Sequence, residues 1–156
     1  MKIIVFAEHT HNFSARLVQL GMWLWQVVRF RKPVKVYNHW GFRVIGNAAY
    51  NYEATAHGVK VTTRPLAPEW RAWQVELTDN AIEYLTLQED KKYEYANFLF
   101  HALRILFPAW LGSRNDDKHS CVELVTRTLR KSGYDVKIWS NPVELKEWME
   151  TMNTAQ

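Results

Sequence analysis

Between residues 34 and 77, short segments rich in β-branched and aromatic residues alternate with turn signals, and this pattern constrains the fold most. Residues 34–44 (VKVYNHWGFRV) read as a strand, Gly46-Asn47 as a turn, and 49–54 as the returning strand. A second turn at His57-Gly58 leads into 59–63 (VKVTT), which alternates cleanly. Beyond Pro65 and Pro68, Trp73, Val75 and Leu77 mark a fourth strand of the same meander. Strands linked by tight turns pair antiparallel. The opening run 2–8 (KIIVFAE) adds a short buried strand ahead of them.

Helical periodicity flanks this sheet. Ser14 is a cap for a helix over 15–30, apolar nearly all round and therefore expected between layers, with Pro33 stopping it. After Thr78, Ala81, Ile82, Leu85 and Leu87 give one helix, and 95–106 (YANFLFHALRIL) another. A loop over 108–119 precedes the strongest helix, 121–132, in which Val122, Val125 and Leu129 share a face and Gly133 is the stop. Asn141-Pro142 opens a terminal helix whose last residues are expected to fray. The fold class is α+β: an antiparallel sheet packed by helices, in a single domain over 1–156.

Composition agrees and excludes other classes. With 47% hydrophobic and 14% aromatic residues the chain is too apolar for disorder, and its 156 residues would bury about 70% of the unfolded surface. Gly and Pro are too few for a low-complexity linker. The longest apolar stretch, 17–28, holds two Gln and falls short of the about 20 residues a membrane span needs. The start MKIIVFAEHTHNF lacks the basic and small-residue features of a signal peptide, so a cytoplasmic protein is expected. Net charge is +4, with basic clusters at Arg29-Phe30-Arg31-Lys32 and at Arg127, Arg130 and Lys131. Neither interleaves with stacking aromatics, so they read as solubilising helix-end charges and no nucleic-acid partner is expected.

The single cysteine rules out an internal disulfide and an all-cysteine metal site. It sits in His119-Ser120-Cys121-Val122-Glu123-Leu124. Ser120 and Glu123 form a capping box, which makes Cys121 the first helical residue. A thiol there lies beside backbone N–H groups without helical acceptors and the positive end of the helix dipole, both favourable to a thiolate and to an oxyanion. The competing account is a small apolar side chain in the core, a common fate of free cysteine.

A nucleophilic cysteine needs a base and a group that orients it. His39 lies in the aromatic segment Tyr37-Asn38-His39-Trp40-Gly41-Phe42, and Glu53 on the returning strand. They are placed symmetrically about Gly46, so an odd-length loop centred there sets them opposite each other on one face. A two-residue Gly46-Asn47 turn would instead point them to opposite faces and remove Glu53 from the set. The ordinary fate of such a Glu is the surface. Among the other histidines, His9 and His11 share a strand face near Glu8, a weak metal signal with no further ligand specified. His57 reads as a solvent-facing turn residue, His101 as a semi-buried helix residue, and His119 as too near Cys121 in sequence for an in-line pair. No cofactor and no metal are expected.

Together these pieces resemble the circularly permuted NlpC-type thiol hydrolases, papain-like enzymes related in fold to the lecithin:retinol acyltransferase group. The matching segments are Asn38-His39-Trp40-Gly41, Tyr52-Glu53-Ala54 with Gly58-Val59, Tyr93-Glu94-Tyr95-Ala96 at a helix start, Cys121-Val122-Glu123-Leu124, Gly133, and Asn141-Pro142-Val143-Glu144-Leu145. They cover about residues 34–146, with the His strand ahead of the Cys helix as in the permuted group. The chain departs from the family pattern at Val122, where Ser is frequent, and in its apolar helix over 15–30.

The resemblance implies a papain-like fold with Cys121 as nucleophile, His39 as general base and Glu53 as the polar third member. It also implies the Cys121 N–H in an oxyanion hole and Tyr37 or Tyr93 as an auxiliary hydroxyl donor. Substrates would carry an amide or acyl group: a peptide, a cell-wall fragment or a lipid. Hydrolysis or acyl transfer both fit, as does a peripheral membrane contact through the helix over 15–30. The rival is a catalytically inactive scaffold of the same fold that binds a protein or ligand.

Overall fold

In the computed structural model the described residues are 2–9, 16, 20, 23, 37–55, 57–93, 118–137 and 142–154. Among them the architecture is α+β. The strands are β1 (Lys2–Glu8), β2 (His39–Ile45), β3 (Ala49–Thr55), β4 (Gly58–Thr62) and β5 (Trp70–Gln74). They form one antiparallel sheet in the order β4-β3-β2-β1-β5. Helix α1 (Asp79–Leu87) follows, then two short strands, β6 (Lys92–Tyr93) and β7 (Lys118–His119), which pair parallel. Helices α2 (Cys121–Lys131) and α3 (Pro142–Thr154) complete the described chain.

The last sheet strand departs from a simple meander. β5 pairs with β1 at the opposite edge instead of with β4, and it spans Trp70–Gln74, short of Val75 and Leu77. The physical reason lies in residues 63–69, where Pro65 and Pro68 break strand pairing and carry the chain across the sheet. β1 thus gains a partner on each side, and its continuous apolar run is buried from Ile3 to Ala7.

One sheet face builds the main core. Val5, Ala7, Trp40, Phe42, Ala54, Val59 and Trp73 pack with Leu85 of α1 and Leu124, Val125 and Leu129 of α2. The indoles of Trp40 and Trp73 stack with centroids 5.5 Å apart and planes 7° from parallel. Their strands are separated by β1, and Ala7, opposite Trp40, leaves the space in which they meet. α2 packs on β2 and β3 and against α1, while α3 packs against α2. Arg71 ties β5 to α3 through a 3.0 Å bond to Glu150.

The ends of α2 follow their sequence signals. The Glu123 N–H donates to Ser120 Oγ at 3.2 Å, so Ser120 caps a helix that begins at Cys121. At the far end Gly133 takes φ +88°, and the N–H groups of Gly133 and Tyr134 donate to the carbonyls of Arg130 and Leu129. Two expectations change. Tyr93 lies in a strand, not at a helix start. Within 15–30, Leu20 and Trp23 are helical but 55% and 49% exposed, so burial all round does not hold at those positions. The cap Ser14, the helix over 95–106 with His101, His11, and the final residues 155–156 lie outside the described residues.

Gly41 shows how tightly β2 is held. A Cβ there would lie 2.7 Å from both Phe6 Cζ and the Tyr52 carbonyl oxygen, and a carbonyl in the sheet cannot move aside. Gly41→Ala is expected to destabilise the fold by about 1–3 kcal/mol in chemical denaturation. Gly46 meets no atom within 4 Å of an added Cβ, and Gly46→Ala should change stability by no more than about 0.5 kcal/mol.

Candidate active site

The β2–β3 register decides whether His39 and Glu53 can meet. Ile45 pairs with Ala49 and Gly41 with Glu53, so the loop holds three residues, 46–48. Its centre is Asn47, one residue beyond the symmetric placement about Gly46. The loop is odd in length, which keeps both side chains on one face. They are therefore diagonal neighbours on adjacent strands, not directly opposed, and the longer reach of Glu and His closes the gap. His39 Nε2 and Glu53 Oε2 are 2.7 Å apart.

Directly across from His39 on β1 stands Glu8. Its Oε1 lies 3.9 Å from His39 Nε2. Glu8 and Glu53 are both fully buried, so each carboxylate needs partners to offset its desolvation. The crossing segment supplies them. Arg64 donates from Nε to Glu53 Oε1 at 2.9 Å, from Nη1 to Glu8 Oε2 at 3.3 Å, and from Nη2 to both carboxylates. Thr62 Oγ1 donates to Glu53 Oε1 at 2.6 Å, and the Ala67 N–H donates to Glu8 Oε2 at 2.6 Å. Asn51, also buried, donates to the Arg64 carbonyl at 2.9 Å and pins that segment to the sheet.

A further polar neighbour of the imidazole among the described residues is Cys121, whose side chain is within hydrogen-bonding reach of it. Nε2 is the ring nitrogen directed at Glu53. The order across the site is Cys121, His39, Glu53, Arg64, Glu8. The elements that deliver them are the N-terminus of α2, the start of β2, the middle of β3, the 63–69 crossing and the end of β1. Phe6 packs beside the ring with centroids 6.1 Å apart, and only 13% of the His39 side chain is exposed.

Electrostatics follow from that order. Burial alone would push the His39 pKa down, but the bond to Cys121 and then the bond to Glu53 outweigh it and raise the value from 6.5 to about 9. Burial would push Glu53 up, but His39 and then Arg64 outweigh it and lower the value from 4.5 to about 2. Arg64, held by Glu8 and Glu53, keeps its proton throughout.

Ligand atoms of Glu8, His39 and Glu53 all lie within 4.8 Å of one another, a spread that suits a metal ion. The Arg64 guanidinium already bonds both carboxylates and supplies the cation there. Tyr37 packs against the core edge, and its carbonyl accepts from Trp40 Nε1 at 3.3 Å. Only the backbone of Tyr93 is described; β6 sets it beside His119, two residues before Cys121. His57 is exposed. Sequence reasoning joined Cys121, His39 and Glu53 but left out Arg64 and assigned Glu8 to a weak set with His9 and His11. The available signal was Glu8 itself, a charge closing an otherwise apolar buried strand.

No protein-family model and no curated protein sequence matches the chain. Among the described residues no helix is long and apolar enough to cross a membrane.

The two shifted groups predict the pH profile of stability. A raised His39 value contributes stability that is complete below about 6.5 and lost as pH rises through about 9. A lowered Glu53 value contributes stability that is complete above about 4.5 and lost as pH falls through about 2. Thermal unfolding should show both contributions in full between pH 4.5 and 6.5. His39→Gln should flatten the alkaline limb and Glu53→Gln the acid limb.

Proposed function

We propose that the chain is a cysteine-nucleophile hydrolase that cleaves an amide or ester through a thioacyl-enzyme. Its fold in this reading is a permuted papain-like one, with the histidine strand ahead of the cysteine helix. The carrying observation is His39, held between Cys121 and Glu53. A base within reach of a thiol, and itself oriented by a carboxylate, is the arrangement that activates a nucleophile.

The chemistry follows from positions. The protonated imidazole and the first turn of α2 both set positive charge beside the sulfur that must act as nucleophile. Sulfur attacks the substrate carbonyl carbon, and the carbonyl electron pair moves to oxygen. The Cys121 N–H, which has no acceptor within its helix, donates to that oxyanion. His39 gives a ring proton to the leaving nitrogen or oxygen as the bond to carbon breaks. Water then attacks the thioester, passes a proton to His39, and the thiolate departs. Glu53 stays ionised and keeps the ring in place. An alcohol or amine in place of water would make the same site an acyltransferase.

Tyr37 and Tyr93 are assigned no step. A cysteine kept as a free thiol suits a reducing compartment such as the cytoplasm. Peptides, cell-wall fragments and lipids remain the substrate classes that carry the required carbonyl.

A second reading is favoured by one observation: Cys121 is only 2% exposed and belongs to the apolar core cluster. On that reading the fold is an inactive binding scaffold. The pH dependence of Cys121 alkylation by iodoacetamide separates the two. An ordinary thiol, with a pKa near 8.5, is a few per cent ionised at pH 7. The hydrolase reading expects native alkylation at pH 6–7 to exceed that of a free thiol by about tenfold. It also expects His39→Ala to abolish the excess with the fold intact by circular dichroism. Slow alkylation independent of His39 would establish the scaffold.

A further inference from the structure

Counting charge across the site reveals a role that individual hydrogen bonds conceal. Among the described residues, the charged and titratable groups around His39 are Glu8 from β1, Glu53 from β3, Arg64 from the crossing segment and Cys121 from α2. Leaving the thiol aside, two carboxylates face one guanidinium. Arg64 bonds both oxygens of Glu53 and both oxygens of Glu8, so one guanidinium is shared between two carboxylates. One negative charge is left over, and it exists because Glu8 is present.

We propose that Glu8 is a positioning residue of the site: it brings a second carboxylate, beyond what the one guanidinium matches, and acts with Glu53 to keep a proton on His39. The geometry suits this role. Glu8 Oε1 stands 3.9 Å from Nε2, close enough for Coulombic attraction and too far for a hydrogen bond. Glu8 is fully buried, so little water screens the interaction. Its bonds to Arg64 and the Ala67 N–H fix it in place. With His39 protonated the four side chains sum to zero; with His39 neutral they sum to minus one, a net charge buried in the sheet. The role in catalysis rests on the thiol-hydrolase reading, but the effect on the imidazole does not.

The test is an NMR titration of the His39 ring carbons in the full chain, assigned among the six histidines by their loss in His39→Gln. Glu8→Gln keeps the acceptor for Ala67 and removes the charge; it should lower the His39 midpoint by about one pH unit or more. Glu8→Gln combined with Arg64→Gln restores the balance of one carboxylate to one imidazolium, and should return the midpoint to within about half a unit of wild type. A purely structural role for Glu8 predicts no such return. An unchanged midpoint in Glu8→Gln, or a double variant as low as the single one, overturns the proposal.

If Glu8→Gln does not fold, Arg64→Lys decides. It retains the charge and loses the fork of hydrogen bonds, so the midpoint should stay within about half a unit. A larger shift assigns the effect to hydrogen-bond geometry and overturns the proposal. Cys121 alkylation is read separately on the same samples. An inert thiol with the expected titrations sinks only the hydrolase reading, and a reactive thiol with the wrong titrations sinks only the role of Glu8.

Discussion

Two carboxylates buried on adjacent rows of one sheet are a costly pair, and the fold is arranged around the single guanidinium that reconciles them. Glu8 and Glu53 come from β1 and β3, with β2 between them. Neither strand offers a cation of its own at that level. Arg64 reaches both because residues 63–69 pass from one edge of the sheet to the other instead of turning back beside β4. The same crossing delivers β5 to β1, which completes the core beneath Trp40 and Trp73. Sheet order and charge balance are thus consequences of one segment.

Much of the fold was legible because it depends on local signals. The capping residue Ser120, the stop at Gly133 and the apolar run of β1 act through near neighbours and appear where their chemistry predicts. The site was legible in part for the same reason: an odd loop between β2 and β3 is a local property, and it alone puts His39 and Glu53 on one face. The sequence leaves an odd loop centred on Gly46 and a two-residue turn both open; the loop is odd and centred on Asn47, and odd length preserves side-chain parity wherever the centre falls.

Long-range pairing was not legible. Nothing within 59–77 distinguishes a strand that returns to β4 from one that crosses to β1, since both are short, aromatic and preceded by proline. Arg64 lies between a strand and a proline, a position that reads as solvent-facing. Its significance comes from Glu8, 56 residues earlier in the chain. Leu20 and Trp23 were misjudged because hydrophobicity all round a helix implies burial only if enough protein exists to cover every side.

That separation of 56 residues has a consequence for how the protein is made. β1 leaves the ribosome ahead of β2, β3 and β4, and the cation that its terminal carboxylate requires emerges only after all three have been synthesised. Until Arg64 appears, permanent docking of β1 would bury Glu8 uncompensated, so β1 precedes its sheet partners in synthesis yet waits for Arg64 to be locked. The nascent chain must keep an apolar strand in reserve through that interval. Chaperone dependence and aggregation during synthesis should therefore centre on residues 2–8, in a protein whose native sheet gives no hint of weakness there.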